Sequence, residues 1–253
     1  MANLDLIKHF NEKYDKDSPI RSLKKSFSFG DSINVQNNLR ELGWQYTTYF
    51  EEGLSAKVVL LFIDICSFSS RYGHLKGNEL SKYFDEYYNI IVPIIYKFNG
   101  EVEKIIGDGI ICVFGKPFLN ESFSRCLDLA DQCAKEIIRS TYFEEKFISK
   151  VGFHYGEINY FKNKSGHYNE LTMIGKPLTE LFRLESISED QKINYLVIYK
   201  SITEWNWNFD INSQSPFWKL EAIKDIQSDL TGIDYKYYQT NKYTWPSTIS
   251  SIL

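Results

Sequence analysis

Apolar residues along the chain gather into a few short runs and several stripes at helical spacing. The stretch "AKVVLLFIDICSF" (56–68) carries a continuous apolar run from Val58 to Ile63, the pattern of a strand buried on both faces. Asp64 stands at its end. From Asn78 to Phe98, Leu80, Phe84, Tyr87, Tyr88, Ile91, Ile95 and Phe98 recur at helical spacing, with Pro93 an expected kink and Gly100 a stop. In "EVEKIIGDGIICVFG" (101–115) two apolar runs flank Gly107-Asp108-Gly109, which reads as a tight hairpin. Asn120 or Ser122 can cap a second amphipathic helix through Phe123, Leu127, Ala130, Ala134 and Ile137. "KVGFHYGEINYF" (150–161) alternates as a strand does, and "LTMIGKPLTELFRLES" (171–186) reads as strand, glycine turn and helix. "INYLVIY" (193–199) and "DYKYYQT" (234–240) complete the expected strands.

This order of strand, helix, hairpin, helix and strand predicts an α+β, ferredoxin-like split βαβ fold, a mostly antiparallel sheet covered by helices. Residues 1–55, broken by "KDSP" and "SFSFGDS", are expected to form an N-terminal extension, and 56–253 the main domain. The segment 204–218, with Trp205, Trp207 and Trp218 among polar residues, is expected to be a packed excursion at the domain edge.

Composition narrows the partners. A formal net charge of -4 gives no electrostatic case for nucleic acid or an anionic membrane. No apolar stretch approaches the roughly 20 residues of a membrane span, and charges enter "MANLDLIKHFNEKYDKD" too early for a secretory signal. A cytoplasmic protein is expected. Cys66, Cys112, Cys126 and Cys133 form no CxxC pair, so buried thiols are expected rather than disulfides or zinc ligands.

The candidate chemistry lies in two acids. Turn geometry alone accounts for Gly-Asp-Gly. If the hairpin lies beside the first strand, however, Asp64 and Asp108 meet at one end of the sheet, and paired strand-end carboxylates suit Mg2+ or Mn2+ bound to a nucleoside triphosphate. The Ile65 carbonyl offers a third oxygen.

The blocks "LLFIDICSFSSRYG", "EVEKIIGDGIICVFG" and "TMIGKPLTELFRLE" together resemble the signature blocks of class III nucleotide cyclases, over about residues 56–240. The resemblance implies two divalent ions per active site, held by Asp64, Asp108 and the Ile65 carbonyl. It implies cyclisation of a nucleoside triphosphate to a 3′,5′-cyclic monophosphate with release of pyrophosphate. Arg183 matches the arginine that stabilises the α-phosphate, and Thr179 replaces the asparagine that orients the ribose. A threonine hydroxyl is shorter and cannot donate two hydrogen bonds. The family's late triphosphate lysine is replaced at Thr231-Gly232, with Lys224, Lys219 or Arg71 as candidate substitutes. The resemblance further implies a head-to-tail homodimer, each of its two sites built from both chains.

Lys104 and Thr172 match the two base-reading positions. A donor beside an acceptor suits adenine N1 and N6 or cytosine N3 and N4, and disfavours guanine and uracil. A short chain with Thr179 and with Phe68, Tyr72 and Phe182 adding bulk near the substrate looks like the pyrimidine cyclases of bacterial anti-phage signalling, whose product activates a separate effector. CTP is the expected substrate. UTP in the same role, ATP, and a degenerate cyclase fold that binds nucleotide without turnover are the alternatives.

Overall fold

A computed structural model describes residues 44–162, 171–197, 217–226 and 230–244. Helix α1 (Trp44–Glu52) leads into β1 (Ser55–Ile65), short α2 (Phe68–Tyr72) and long α3 (Asn78–Lys97). The hairpin β2 (Glu101–Ile106) and β3 (Gly109–Phe114) follows, then α4 (Phe123–Thr141), β4 (Ser149–Lys162), β5 (Leu171–Ile174) and α5 (Lys176–Ser186). Strands β6 (Lys192–Val197), β7 (Trp218–Leu220), β8 (Lys224–Asp225) and β9 (Tyr237–Tyr243) complete the described chain.

The strands form one sheet in the order β2-β3-β1-β4-β6-β9-β7, with β5 paired to β4 and β8 to β9. The segment β4-β1-β3-β2 has the strand order of the expected split βαβ arrangement, and every pair in it is antiparallel. Among the described strands only the β4–β6 pairing is parallel. Ser122 caps α4, its hydroxyl accepting from the Arg125 amide at 3.3 Å, and α3 runs on through Pro93.

Alternation along β1 sorts its side chains between two cores. Val59, Leu61, Ile63 and Ile65 face α3 and α4, while Val58, Leu60 and Phe62 face α1 and α5. Burial on both faces explains why β1 reads as an unbroken apolar run. β1 begins at Ser55, and α1 packs on the same sheet through Phe50, whose ring lies 5.1 Å from that of Tyr160.

The strand expected from Asp234 begins at Tyr237 instead, because Asp234 pairs with Lys176 on α5 and the Tyr235 ring packs against His154 on β4. The proposed excursion at 204–218 lies outside the described residues except for Phe217 and Trp218, and Trp218 pairs with Tyr243 in the sheet. All four cysteines are free and buried. Burial pushes the Cys66 thiol up to about 12, which leaves it protonated and unreactive near neutral pH. Among the described residues no helix is long and apolar enough to cross a membrane.

Candidate active site

The hairpin expected around Gly107-Asp108-Gly109 is a two-residue turn closed by the Ile106–Gly109 pair. Only Gly107 has a positive φ, 61°, as a turn with glycine at its first central position requires. Gly109 serves a different end, since a Cβ there would lie 2.9 Å from the Phe62 ring. The glycines thus bend the chain and let β3 close on β1, which carries Asp108 to the end of β1.

Asp64 and Asp108 lie side by side. Burial, and next the Asp108 carboxylate beside it, push the Asp64 carboxyl up to about 7, opposed by Lys150. Two like charges crowded in a half-buried site are relieved by a cation. Among the described residues no group of three or more His, Cys, Asp and Glu side chains gathers to hold a metal. The two neighbouring carboxylates form an incomplete oxygen cradle. Such a cradle fits hard divalent cations that take their remaining ligands from phosphate and water.

Aromatic rings back the acids. The Tyr88 hydroxyl donates to the Gly107 carbonyl at 2.7 Å and pins the turn to α3. Burial first, and Asp108 second, push Tyr88 up to about 12, so this donor stays protonated. Phe68 is half-buried in the same cluster, 5.5 Å from Tyr83 and 5.2 Å from Phe84 between ring centres.

Lys150 was not anticipated from the sequence. It stands opposite Asp64 in the β1–β4 register, with its Nζ 3.5 Å from the Asp64 carboxylate and 2.8 Å from that of Glu185 on α5. Burial lowers its pKa, but the bond to Glu185 and the charges of Glu185 and Asp64 prevail and hold it above the ordinary lysine value. It is a fixed cation beside the acids. The only sequence signal was a lysine opening an alternating strand.

The candidate substitutes for the triphosphate lysine are engaged or distant from the acids. Lys224 lies between Glu189 (2.6 Å) and Glu221 (3.3 Å). The Arg71 guanidinium donates to the Tyr72 hydroxyl at 3.1 Å and to the Glu145 carbonyl. Lys219 sits on β7, at the far end of the sheet order from β2 and β3.

Thr179 and Arg183 are exposed together on the outer face of α5, while Pro177, Glu180, Leu181 and Leu184 are buried beneath. Phe182 shares the exposed face and meets Phe62 edge-on at 5.5 Å. Among the described residues Arg183 makes no ion pair, and the groups that act on Asp64 besides burial are Asp108, Lys150 and Glu185 rather than Arg183. Lys104 is exposed on β2 just after a bulge, and Thr172 is half-buried on β5 opposite Phe161. Their strands are not neighbours in the sheet.

The profile of the adenylate and guanylate cyclase catalytic domain matches residues 51–214. No curated protein sequence gives a significant match. Among solved structures, the catalytic core of a rhodopsin-guanylyl cyclase with converted specificity, in complex with ATPαS, superposes with a TM-score of 0.58 at 14% identity, covering 76% of this chain and 99% of that one. The adenylyl cyclase CyaB from P. aeruginosa gives 0.56 at 18% identity, covering 76% and 97%. The guanylyl cyclase Cya2 gives 0.55 at 16%, covering 77% and 96%.

Proposed function

Because this chain belongs to the adenylate and guanylate cyclase catalytic domain family, a family of nucleotide cyclases that use divalent metals, we propose that it converts CTP to 3′,5′-cyclic CMP and pyrophosphate. The observation that carries the cyclase reading is the Asp64–Asp108 pair at the shared end of β1 and the β2–β3 turn. Asp64, Asp108 and the Ile65 carbonyl would hold Mn2+ or Mg2+, two ions per site. Divalent ions held there would supply acidification of the ribose 3′-hydroxyl and would offset charge on the departing pyrophosphate.

The chain's own residues supply the rest. Lys150 stays protonated beside the acids and is placed to neutralise phosphate oxygens, the task for which the sequence offered Lys224, Lys219 or Arg71. Arg183 presents a planar fork of donors to the α-phosphate as the 3′-oxygen bonds to phosphorus and the bond to the β-phosphate breaks. Thr179 orients the ribose with a single hydroxyl. A homodimer brings Thr179 and Arg183 of one chain to the acids of the other, and the exposed Ile105, Ile106, Ile174 and Phe182 supply apolar surface around that junction.

Lys104 as donor and Thr172 as acceptor support cytosine or adenine over guanine and uracil. Thr179 and the bulk of Phe68, Tyr72 and Phe182 support the smaller pyrimidine. A pyrimidine cyclase suits an anti-phage role in which its product switches on a separate effector. ATP is the second reading, because adenine presents the same donor and acceptor pattern to Lys104 and Thr172.

The test is incubation of the pure protein with Mn2+ and equimolar ATP, GTP, CTP and UTP, followed by mass spectrometry. Predominant cyclic CMP is expected. Cyclic UMP would overturn the roles of Lys104 and Thr172 while keeping a pyrimidine cyclase, and cyclic AMP would make this an adenylate cyclase. Nucleotide binding without any pyrophosphate release would make it a binding module.

A further inference from the structure

Beneath α5 the sheet carries a buried polar pair that the proposed reaction does not use. His154 on β4 and Glu180 on α5 are both fully enclosed, and the His154 Nε2 lies 2.9 Å from a Glu180 carboxylate oxygen. Around that pair the surface on which α5 rests is small and apolar. Gly152 and Gly156 flank His154 at alternate positions of β4, and a Cβ at Gly156 would lie 2.4 Å from Pro177, while one at Gly152 would meet Leu181 at 3.5 Å. The helix therefore lies in a glycine groove with a fully buried polar peg in its floor, while the partly exposed Lys150–Glu185 pair ties the same strand and helix nearer the acids.

A groove of this kind permits close approach but discriminates poorly between neighbouring helix positions. Leu181 and Leu184 could seat over it after a small slide or rotation at modest cost, since apolar contacts lack direction. A buried hydrogen-bonded pair does not tolerate such a slip, because breaking it leaves an uncompensated polar group in a low-dielectric site. The adjacent residue is Thr179, and Arg183 lies one turn on. A slip of one residue moves both by about 1.5 Å along the axis and about 100° around it.

The same pair reaches a third element. Lys176 lies 3.4 Å from the other Glu180 carboxylate oxygen and 2.6 Å from Asp234, and the Tyr235 ring meets His154 edge-on at 5.6 Å. Among the described residues the other titratable ring against His154 is Tyr155, at 5.9 Å. Strand, helix and the loop holding Thr231 and Gly232 thus converge on one buried contact.

We propose that His154 and Glu180 are positioning residues whose buried bond sets the register of α5 on the sheet and so aims Thr179 and Arg183 at the substrate. The inference rests on the cyclase reading for what α5 is aimed at, but not for the register itself.

Four variants test it: Glu180→Ala, His154→Ala, Glu180→Gln, and the double apolar replacement His154→Leu/Glu180→Met. Glu180→Gln can still bond the imidazole and should keep kcat within about threefold of wild type, while the two alanine variants lose about tenfold to a hundredfold. The double variant fills the volume without a polar requirement. It should melt near the wild-type temperature yet lose kcat as the alanine variants do, with little change in KM. Wild-type kcat in a folded double variant would overturn the proposal, as would Glu180→Gln and Glu180→Ala falling equally at equal melting temperature. Hydrogen exchange gives a readout independent of turnover. Amides of 176–186 should exchange about tenfold faster in Glu180→Ala, while those of α4 stay unchanged, and unaltered exchange in α5 would overturn the proposal. Should the wild-type protein show no cyclase activity, the functional reading fails, and the exchange experiment still decides the register.

Discussion

Asp64 occupies a position where burial and the neighbouring Asp108 both oppose its charge, and its pKa near 7 records that conflict. A residue held against its preference in this way is the ground on which a cation is proposed there. Asp64→Ala should lower kcat by on the order of a thousandfold, because two ions lose a shared ligand, and Mn2+ binding measured by electron paramagnetic resonance should weaken with it. Retained Mn2+ affinity would separate Asp64 from the metal. Lys150 makes a different prediction. Its charge-assisted bonds are worth about 1.5–3 kcal/mol when a phosphate replaces a carboxylate partner, so Lys150→Ala should raise the KM for triphosphate by about tenfold or more, and Lys150→Arg should recover most of it. Steady-state kinetics at saturating Mn2+ would show this.

At the scale of elements, α3 and the β2–β3 hairpin are joined by the Tyr88 bond to the Gly107 carbonyl. Tyr88→Phe removes one hydrogen bond, at a cost of about 1 kcal/mol in stability. It also frees the turn that carries Asp108. The apparent Mn2+ affinity should fall by about fivefold, and kcat at saturating metal should fall less, as a metal titration of activity would show. A second junction binds the β7–β8 segment to the sheet. Glu221 accepts from Lys192 at 2.7 Å and from Thr240 at 2.5 Å, with Lys224 at 3.3 Å. Although burial pushes its carboxyl up, these hydrogen bonds win and hold it at about 2. The folded pKa is below the unfolded one, so the stabilisation is complete above about 4.5 and is lost as pH falls toward 2. Solvent screening limits it to about 1 kcal/mol. Glu221→Gln should flatten that part of the acid unfolding curve followed by circular dichroism.

For the whole molecule, the placement of the site residues predicts a divided site. The acids and Lys150 form one constellation, Thr179 and Arg183 stand on the exposed face of α5, and a partner chain is proposed to unite them. Mixing inactive Asp64→Ala protein with inactive Arg183→Ala protein should restore about a quarter of wild-type activity, since half the dimers are mixed and each has one intact site. Mixtures that stay inactive under conditions of subunit exchange would sink the divided site.

Local patterning in the sequence by itself was enough to read the α+β class, the central strands, hairpin and helices from Val58 to Ser186, and the placing of Asp64 at a strand end and Asp108 in a turn, but not the short strands Trp218–Leu220 and Lys224–Asp225. A run buried on both faces, helical stripes and a glycine-bounded turn each declare themselves within a dozen residues. Tertiary structure alone decided that Asp64 stands opposite Lys150, that Tyr88 holds the hairpin, and that α5 is pegged to β4 through His154 and Glu180. Each of these joins segments distant along the chain. A strand's period of two is satisfied by many registers, and a lysine opening a strand or a glutamate inside a helix carries no mark of its partner until the sheet is assembled.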